Sequence, residues 1–233
     1  MDFEMNCFSN KTALITGSAK RIGASIAEHL HQAGMNIIVH YNASETEAHK
    51  LVKKFNKIRA DSATAIKANL EDKDAYPVLI NSTLEFKGNI DVLINNASAF
   101  YPTPVDVLND IQWNEIININ LKAPLFLSQL AAKSLRKNNG CIVNIADIHA
   151  NRPLKDHTVY SVSKAGLIML TQSLAKELSP DIRVNAISPG AITWPEGMDE
   201  KSKKEILNHT ALKKTGNMED ISKAVLFLIK DAN

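Results

Sequence analysis

The chain has 233 residues, of which 45% are apolar, and its 27 basic and 25 acidic residues give a formal net charge of +2. This composition excludes global disorder, and the mixed charges argue against a nucleic-acid or anionic-membrane partner. Two cysteines without a CxxC spacing predict neither a disulfide framework nor a metal site. Because no stretch approaches the ~20 apolar residues of a membrane span, we expect a soluble, cytoplasmic protein.

Short β-rich runs alternate with longer amphipathic segments along most of the chain. The strand-like runs are 12–16, 36–41, 63–68, 90–95, 141–146 and 182–188, and clear helical segments are 22–33, 45–57, 116–135 and 159–178. This alternation predicts an α/β fold, a doubly wound, Rossmann-type parallel sheet with helices on both faces, formed by one domain over 1–233. A lid-like insertion at about 194–213, with a polar helix at 198–211, precedes a final helix near 219–229; it is either a substrate lid or a structural flap.

A glycine-containing turn follows the first strand and leads into a helix. Gly17 permits a tight turn, and Gly23 lets the helix pack close to the sheet. The helix begins near Ile22, where free N–H groups can bind a phosphate, while Lys20 and Arg21 add cations beside it. The turn therefore predicts a dinucleotide site, with a plain strand-to-helix turn as the alternative.

The second strand ends in polar residues. An enzyme that prefers NAD usually carries a carboxylate here for the ribose 2′-hydroxyl, but 36–44 has none. His40, Asn42 and Ser44 could instead donate hydrogen bonds to a 2′-phosphate, with Tyr41 beside them. The cofactor is therefore expected to be NADP(H), bound also by Asn96, Ala97 and Ser98 after the fourth strand.

Tyr160 and Lys164 lie near the start of an amphipathic helix. Residues four apart share a helix face, so both side chains can enter one cleft, where an ammonium would favour the ionised phenol and lower its pKa. This pair predicts acid–base chemistry coupled to hydride transfer. Asn120, a polar residue in an apolar helical stretch, is a third candidate, or else a helix-bending or capping residue.

Together, TGSAKRIG, NNAS, the asparagine of NLK, YSVSK and the proline-glycine after the sixth strand resemble the short-chain dehydrogenase/reductase superfamily. The resemblance implies a proton relay of Tyr160, Lys164 and Asn120, with Lys164 also contacting the nicotinamide ribose. It further implies cofactor contacts from Asn69, Leu70, Pro189 and Gly190. Members are frequently tetramers, so a homo-oligomer, a tetramer or a dimer, is expected.

Asp147 occupies the position, thirteen residues before the tyrosine, where most members of that superfamily carry a serine. A hydroxyl suits a carbonyl oxygen, whereas a carboxyl group can share a proton with a ring nitrogen. The aspartate resembles that of the pteridine reductases, including dihydromonapterin reductase. This branch implies reduction of a dihydropterin, with dihydrofolate as a further substrate. Asp147 could instead be a capping or salt-bridged residue.

Further residues agree with the pteridine reductase branch. Phe100 could stack on a flat pterin, unless it is a core aromatic residue. Arg21 and Ser98 could bind the polar edge of the pterin, and Trp194 belongs to the flap over the site. These expectations make Arg21, Ser98, Phe100, Asp147, Tyr160 and Trp194 the candidate substrate-binding residues.

The chain also departs from that branch. Ala43 stands where an arginine commonly meets the 2′-phosphate, and Asn69 stands where an aspartate is common. The branch continues past the last helix into a seventh strand, which we expect to be missing from this chain. Two alternatives remain: a short-chain reductase of ketones, acting on a 3-oxoacyl or sugar carbonyl, and a non-catalytic NADP(H)-binding regulator.

Overall fold

The structure is a computed structural model that describes residues 8–194 and 197–231. Its strands follow the predicted runs, with ends that differ by at most two residues. They are β1 Thr12–Ile15, β2 Asn36–Tyr41, β3 Ala63–Lys67, β4 Val92–Asn95, β5 Cys141–Ile145 and β6 Arg183–Ile187.

The described residues form one six-stranded sheet in the order β3-β2-β1-β4-β5-β6. Each neighbouring pair is parallel, from β3 beside β2 to β6 beside β5. The chain leaves β1 toward β2 on one side and reaches β4 on the other, so the sheet has a switch point between β1 and β4. The predicted doubly wound Rossmann-type fold is confirmed, and a ligand crevice is expected at the carboxyl ends of β1 and β4.

Helices cover both faces of the sheet. They are α1 Arg21–Gln32, α2 Glu45–Ile58, α3 Ala75–Lys87, α4 Asp110–Ile117, α5 Ala123–Lys137, α6 Thr158–Glu177, α7 Glu200–Asn208 and α8 Met218–Lys230. One buried cluster joins the sheet to α1, α2 and α8, and the other joins it to α3, α5 and α6. In β1, Ala13 and Ile15 belong to the first cluster and Leu14 to the second, because successive strand side chains point to opposite faces.

The predicted helix 116–135 is in fact interrupted. A π-helical turn, Asn118–Lys122, separates α4 from α5 and contains the buried Asn120. Such turns insert one extra residue into a helix and recur at functional sites. The interruption was not predicted, because apolar periodicity does not reveal a single inserted residue.

The insertion after β6 contains α7, which is shorter than the predicted segment 198–211 and leaves each of its residues at least partly exposed. Pro195 and Glu196 lie outside the described residues. The final helix, α8, matches the prediction closely. A lid role for the insertion stays a prediction. Within the described ranges, every helix is too short or too polar to cross a membrane.

The outer faces of α4 and α5 carry large apolar side chains that are exposed to solvent. They are Ile111, Trp113, Leu125, Phe126 and Leu130. Exposed apolar side chains of this size mark a protein–protein contact where they form a contiguous patch. The expected homo-oligomer stays a prediction.

Candidate active site

The turn after β1 is held closely against β4. Gly17 has a φ of +61°, and a Cβ there would lie 2.9 Å from the Cα of Ala97. A Cβ on Gly23 would lie 2.5 Å from the carbonyl oxygen of Gly17 and 2.6 Å from Nδ2 of Asn96. Both positions therefore require glycine. Nδ2 of Asn96 donates to the carbonyls of Thr16 and Gly17 at 2.8 and 3.0 Å, which joins the turn to the end of β4.

The two cations of the turn have partners on neighbouring segments. Nζ of Lys20 lies 2.8 Å from Oε1 of Glu47 in the first turn of α2. Nη2 of Arg21 donates to Oγ1 of Thr193 at 2.8 Å and to the carbonyl of Trp194 at 2.9 Å. Lys20 therefore places its charge beside the first turn of α2, whereas Arg21 joins the glycine turn to the segment after β6.

His40 is buried at the end of β2, where it bonds the glycine turn. Its Nδ1 accepts from the Gly17 N–H at 2.9 Å, and its Nε2 lies 3.0 Å from the carbonyl of Ala68. Burial lowers the pKa of His40 to about 4, so the ring is neutral. With both ring nitrogens used, His40 has none left for a 2′-phosphate, and the prediction of that direct contact was wrong because side-chain direction cannot be read from a short strand. Asn42 is exposed and Ser44 half-buried, whereas Tyr41 is buried.

The remaining candidate cofactor residues also lie at carboxyl ends of strands. Asn69 is exposed after β3, where its Oδ1 accepts from the Glu71 N–H at 3.1 Å, while Leu70 is buried. After β6, the carbonyl of Pro189 accepts from the Ile148 N–H at 3.1 Å, and Gly190 is exposed beside it. The segments after β3 and β6 therefore lie at the same edge of the sheet as the glycine turn.

The reactive pair lies at the carboxyl end of β5. The phenol of Tyr160 donates a 2.7 Å hydrogen bond to Oδ2 of Asp147. Oδ1 of the same carboxyl group accepts from the His149 N–H at 2.8 Å and caps a 3-10 turn, Ile148–Ala150. Asp147 is thus both a capping residue and a partner of Tyr160, with one oxygen in each role.

The pKa of Tyr160 is raised well above its usual range, principally by burial. The negative charge of Asp147 and the hydrogen bond to it act in the same direction, and a hydrogen bond with Ser98 acts in the opposite one. The expectation that Lys164 lowers the pKa of Tyr160 is therefore wrong for this structure. The phenol is protonated at neutral pH and can act as a proton donor.

Lys164 is buried on the same face of α6. Its Nζ donates to the carbonyl of Ile145 at 2.9 Å and lies 5.7 Å from the centroid of the Tyr160 ring. Burial lowers the pKa of Lys164 to about 8, although the negative charge of Asp147 opposes this shift. The ammonium form therefore still predominates at neutral pH.

Asn120 joins the π-helical turn to the segment after β4. Its Oδ1 accepts from the Ala99 N–H at 2.8 Å, and its Nδ2 donates to the Ala99 carbonyl and to Oγ of Ser163, both at 3.0 Å. These bonds hold the segment that carries Ser98 and Phe100 against α6. A direct part for Asn120 in a proton relay stays a prediction.

Phe100 lies beside Tyr160 and is 43% exposed, which excludes a core role. Its ring centroid is 4.8 Å from that of Tyr160 in an edge-to-face arrangement with a 77° interplanar angle. The ring also stacks on His157 at 4.8 Å and 19°. An exposed aromatic ring therefore adjoins the reactive phenol. Contact of the half-buried Trp194 with a substrate stays a prediction.

Four residues were not anticipated from the sequence: Glu47, His157, Ser163 and Thr193. His157 and Ser163 each lie three residues from Tyr160, and this spacing could have marked them, since it places side chains on one helix face. Glu47 and Thr193 gave no such signal, because their partners Lys20 and Arg21 are distant in the sequence.

The glycine turn fits a dinucleotide. Gly17 and Gly23 leave space that a Cβ would fill, and the side chain of Lys20, the residue before α1, does not cap the first N–H groups of that helix. An anion can bind to such groups, and this helix end lies at the same edge of the sheet as Tyr160 and Asp147, the edge formed by the carboxyl ends of the strands. Among residues 8–194 and 197–231, His, Cys, Asp and Glu side chains form no group of three or more that could hold a metal ion.

Comparison with known proteins agrees with this geometry. A family model described as short chain dehydrogenase matches residues 11–206. The chain is 33% identical over 225 residues to the 3-oxoacyl-[acyl-carrier-protein] reductase FabG of Staphylococcus aureus, with 95% of this chain and 91% of that protein covered. It is 33% identical over 256 residues to pteridine reductase 1 of Leishmania tarentolae, with 93% and 89% covered. Glucose 1-dehydrogenase 2 of Bacillus subtilis is 30% identical over 232 residues, with 96% and 89% covered. Because the family model and these relatives match nearly the whole chain, the protein belongs to the short chain dehydrogenase family of oxidoreductases.

Proposed function

We propose that the protein is an NADPH-dependent reductase of dihydropterins, which converts a dihydropterin such as dihydromonapterin or dihydrobiopterin, and also dihydrofolate, to the tetrahydro form. The observation that carries the proposal is the 2.7 Å hydrogen bond between Tyr160 and Asp147. A serine at the position of Asp147 would offer a hydroxyl to a carbonyl oxygen, whereas the carboxyl group extends a proton path through Tyr160.

The reaction needs a hydride at a ring carbon and a proton at the neighbouring nitrogen. Bound NADPH would supply the hydride. Tyr160 holds a proton at its phenol oxygen at neutral pH, since burial and Asp147 both raise its pKa. Asp147 is half-buried and hydrogen-bonded to that oxygen, so after each turnover its carboxylate can take up a proton from solvent and pass it to the phenolate oxygen. Lys164 provides a positive charge beneath the ring.

Phe100 supports a flat substrate. The exposed part of its ring lies next to Tyr160, and aromatic rings prefer offset stacking at centroid distances of about 4.5–7 Å. A planar pterin stacked there would have an edge nitrogen near the phenol. A linear 3-oxoacyl chain would gain less from such a ring.

A ketone reductase is the second candidate, and the comparison supports it. The chain is as similar to a 3-oxoacyl-[acyl-carrier-protein] reductase as to a pteridine reductase, at 33% identity each. The test is NADPH oxidation with dihydromonapterin, dihydrobiopterin, dihydrofolate, acetoacetyl thioester and a sugar panel, with product identified by chromatography. We expect turnover of dihydropterins to exceed that of every ketone. Consumption of NADPH with the thioester and none with a dihydropterin would establish the second candidate.

The preference for NADPH is supported by Lys20. Its ammonium lies beside the first turn of α2, which begins directly after Ser44, and the segment carries no carboxylate from 36 to 44. A 2′-phosphate there could replace Glu47 as its partner. Lys20→Ala should raise the Kd for NADPH roughly ten-fold, which corresponds to about 1.4 kcal/mol, and leave the Kd for NADH nearly unchanged. Fluorescence titration measures both. Equal affinity of the wild-type protein for the two cofactors would contradict NADPH preference.

A further inference from the structure

His40 joins three segments that surround the expected cofactor. Its ring bonds the Gly17 N–H of the turn after β1 and the Ala68 carbonyl after β3, and its own carbonyl accepts from the Ser18 N–H at 3.0 Å. Two successive N–H groups of the glycine turn are therefore bonded to one residue of β2. The residue is 2% exposed, so these bonds form away from solvent.

The hydrogen bonds define the tautomer of His40. A backbone N–H can only donate and a carbonyl can only accept, so Nδ1 must carry the lone pair and Nε2 the proton. The other neutral tautomer and the imidazolium both carry a proton on Nδ1. With the ring in this orientation, that proton would point at the Gly17 N–H. The Gly17 N–H would then have no acceptor, and a buried backbone N–H without a hydrogen bond lowers the stability of the fold.

We propose that His40 is a positioning residue for the cofactor: its neutral ring sets the shape of the glycine turn and its spacing from the segment after β3. The pyrophosphate of a dinucleotide binds at such a turn. Asn69, a candidate cofactor residue, directly follows Ala68, so one imidazole links the glycine turn to the segment after β3. This inference rests on the dinucleotide-binding part of the proposed function and is independent of the substrate.

Two variants separate the bonds. In His40→Asn, the side-chain oxygen can take the place of Nδ1 and accept from Gly17, but the chain is too short to reach Ala68. In His40→Gln, the terminal amide nitrogen can take the place of Nε2 and donate to Ala68, but the acceptor for Gly17 is lost. The two variants are alike in polarity, and each removes one of the two bonds.

A second buried histidine provides the control. His31 in α1 stacks on Phe55 with a 4.4 Å centroid distance, and its Nε2 lies 2.7 Å from Oγ of Ser62. These partners lie away from the glycine turn. His31→Gln should therefore disturb packing as much as a change at His40, without altering the turn.

The experiment is a fluorescence titration of each purified variant with NADPH, with thermal unfolding measured in parallel. We expect His40→Gln to raise the Kd roughly ten-fold, equivalent to about 1.4 kcal/mol, His40→Asn to raise it less than about three-fold, and His31→Gln to leave it unchanged. Equal Kd values for the two His40 variants, or an equal rise with His31→Gln, would overturn the proposal. Failure of the wild-type protein to bind NADPH would instead contradict the proposed function.

A measurement on the wild-type protein tests the proposal even if the variants do not fold. Nitrogen NMR of the imidazoles distinguishes a protonated ring nitrogen from one with a free lone pair. We expect the His40 signals at neutral pH to show a proton on Nε2 alone, with and without NADPH. A proton on Nδ1 in either state would overturn the proposal.

Discussion

Replacing Asp147 by serine separates pterin chemistry from ketone chemistry. The change removes the carboxyl oxygen that accepts the 2.7 Å hydrogen bond from Tyr160. A serine hydroxyl can still accept from the His149 N–H, because serine is as good a helix-capping residue as aspartate. Asp147→Ser should therefore fold normally, with its effect confined to the reactive phenol.

The size of the effect follows from that bond. A hydrogen bond to a charged group contributes about 1.5–3 kcal/mol, which corresponds to a rate factor of about 10–150 if the bond is needed only in the transition state. Asp147→Ser also removes the proton path through the carboxyl group. This lowers the rate further, since general acid–base catalysis contributes about 10²–10⁴-fold. We expect kcat/KM for a dihydropterin to fall at least about 100-fold, and any ketone reduction to change by less than about ten-fold.

The assay measures kcat/KM for a dihydropterin and for acetoacetyl thioester at saturating NADPH. Asp147→Asn is the matched control, because it keeps the shape and the cap but cannot carry a negative charge or relay a proton as a carboxyl group does. It should lose pterin reduction as Asp147→Ser does. Equal losses with both substrates, or full pterin activity in either variant, would refute the reasoning.

The remaining predictions concern the phenol, the glycine turn and pH. Tyr160→Phe should lower kcat at least about 100-fold while the Kd for NADPH changes less than about two-fold, because the phenol acts in the transition state; steady-state kinetics and titration test this, and lost binding would contradict it. Gly23→Ala places a Cβ 2.5 Å from a backbone oxygen. It should lower the free energy of unfolding in urea by about 1–3 kcal/mol and weaken NADPH binding, whereas an unchanged urea midpoint would show that the turn can move. Burial lowers the pKa of His31 and of His40 from 6.5 to about 4, so the unfolded chain binds more protons between these pH values. Stability should therefore be lost as the pH falls from 6.5 to 4, with a slope of up to about 1.4 kcal/mol per pH unit for each ring. Burial raises the pKa of Asp91, which opposes this trend. The contribution of His31 is therefore measured as the difference in unfolding free energy between the wild-type protein and His31→Gln, from urea titrations at each pH. If that difference did not change with pH, the lowered pKa of His31 would be contradicted.

The sequence predicted the sheet well, because each strand is a short apolar run that differs from the amphipathic helices in period. The positions of Gly17 and Gly23 after the first strand were enough to predict the glycine turn. The structure shows why glycine is needed there, because a Cβ at either position would lie too close to neighbouring atoms. The π-helical turn around Asn120 could not be predicted, since one inserted residue hardly disturbs an apolar pattern.

Side-chain direction and electrostatics were harder to predict. The position of His40 at the end of β2 predicts a phosphate ligand, but β2 points its ring into the protein, toward Gly17 and Ala68. The pKa of Tyr160 was expected to fall because of Lys164, whereas burial and the directly bonded carboxyl group raise it. In both cases the result depends on burial and contacts that only the folded chain defines.

The sheet order also has a consequence for synthesis. β1 pairs with β2 soon after it in the chain, but its other neighbour, β4, is about 80 positions further on. At roughly 5–20 residues per second, a ribosome needs about 4–16 s to add that length. During that interval one edge of β1, with Ala13, Leu14 and Ile15, is without its native partner. The nascent protein therefore exposes the future switch point of its sheet for seconds, and the glycine turn cannot acquire its contacts with Ala97 and Asn96 until the fourth strand has emerged.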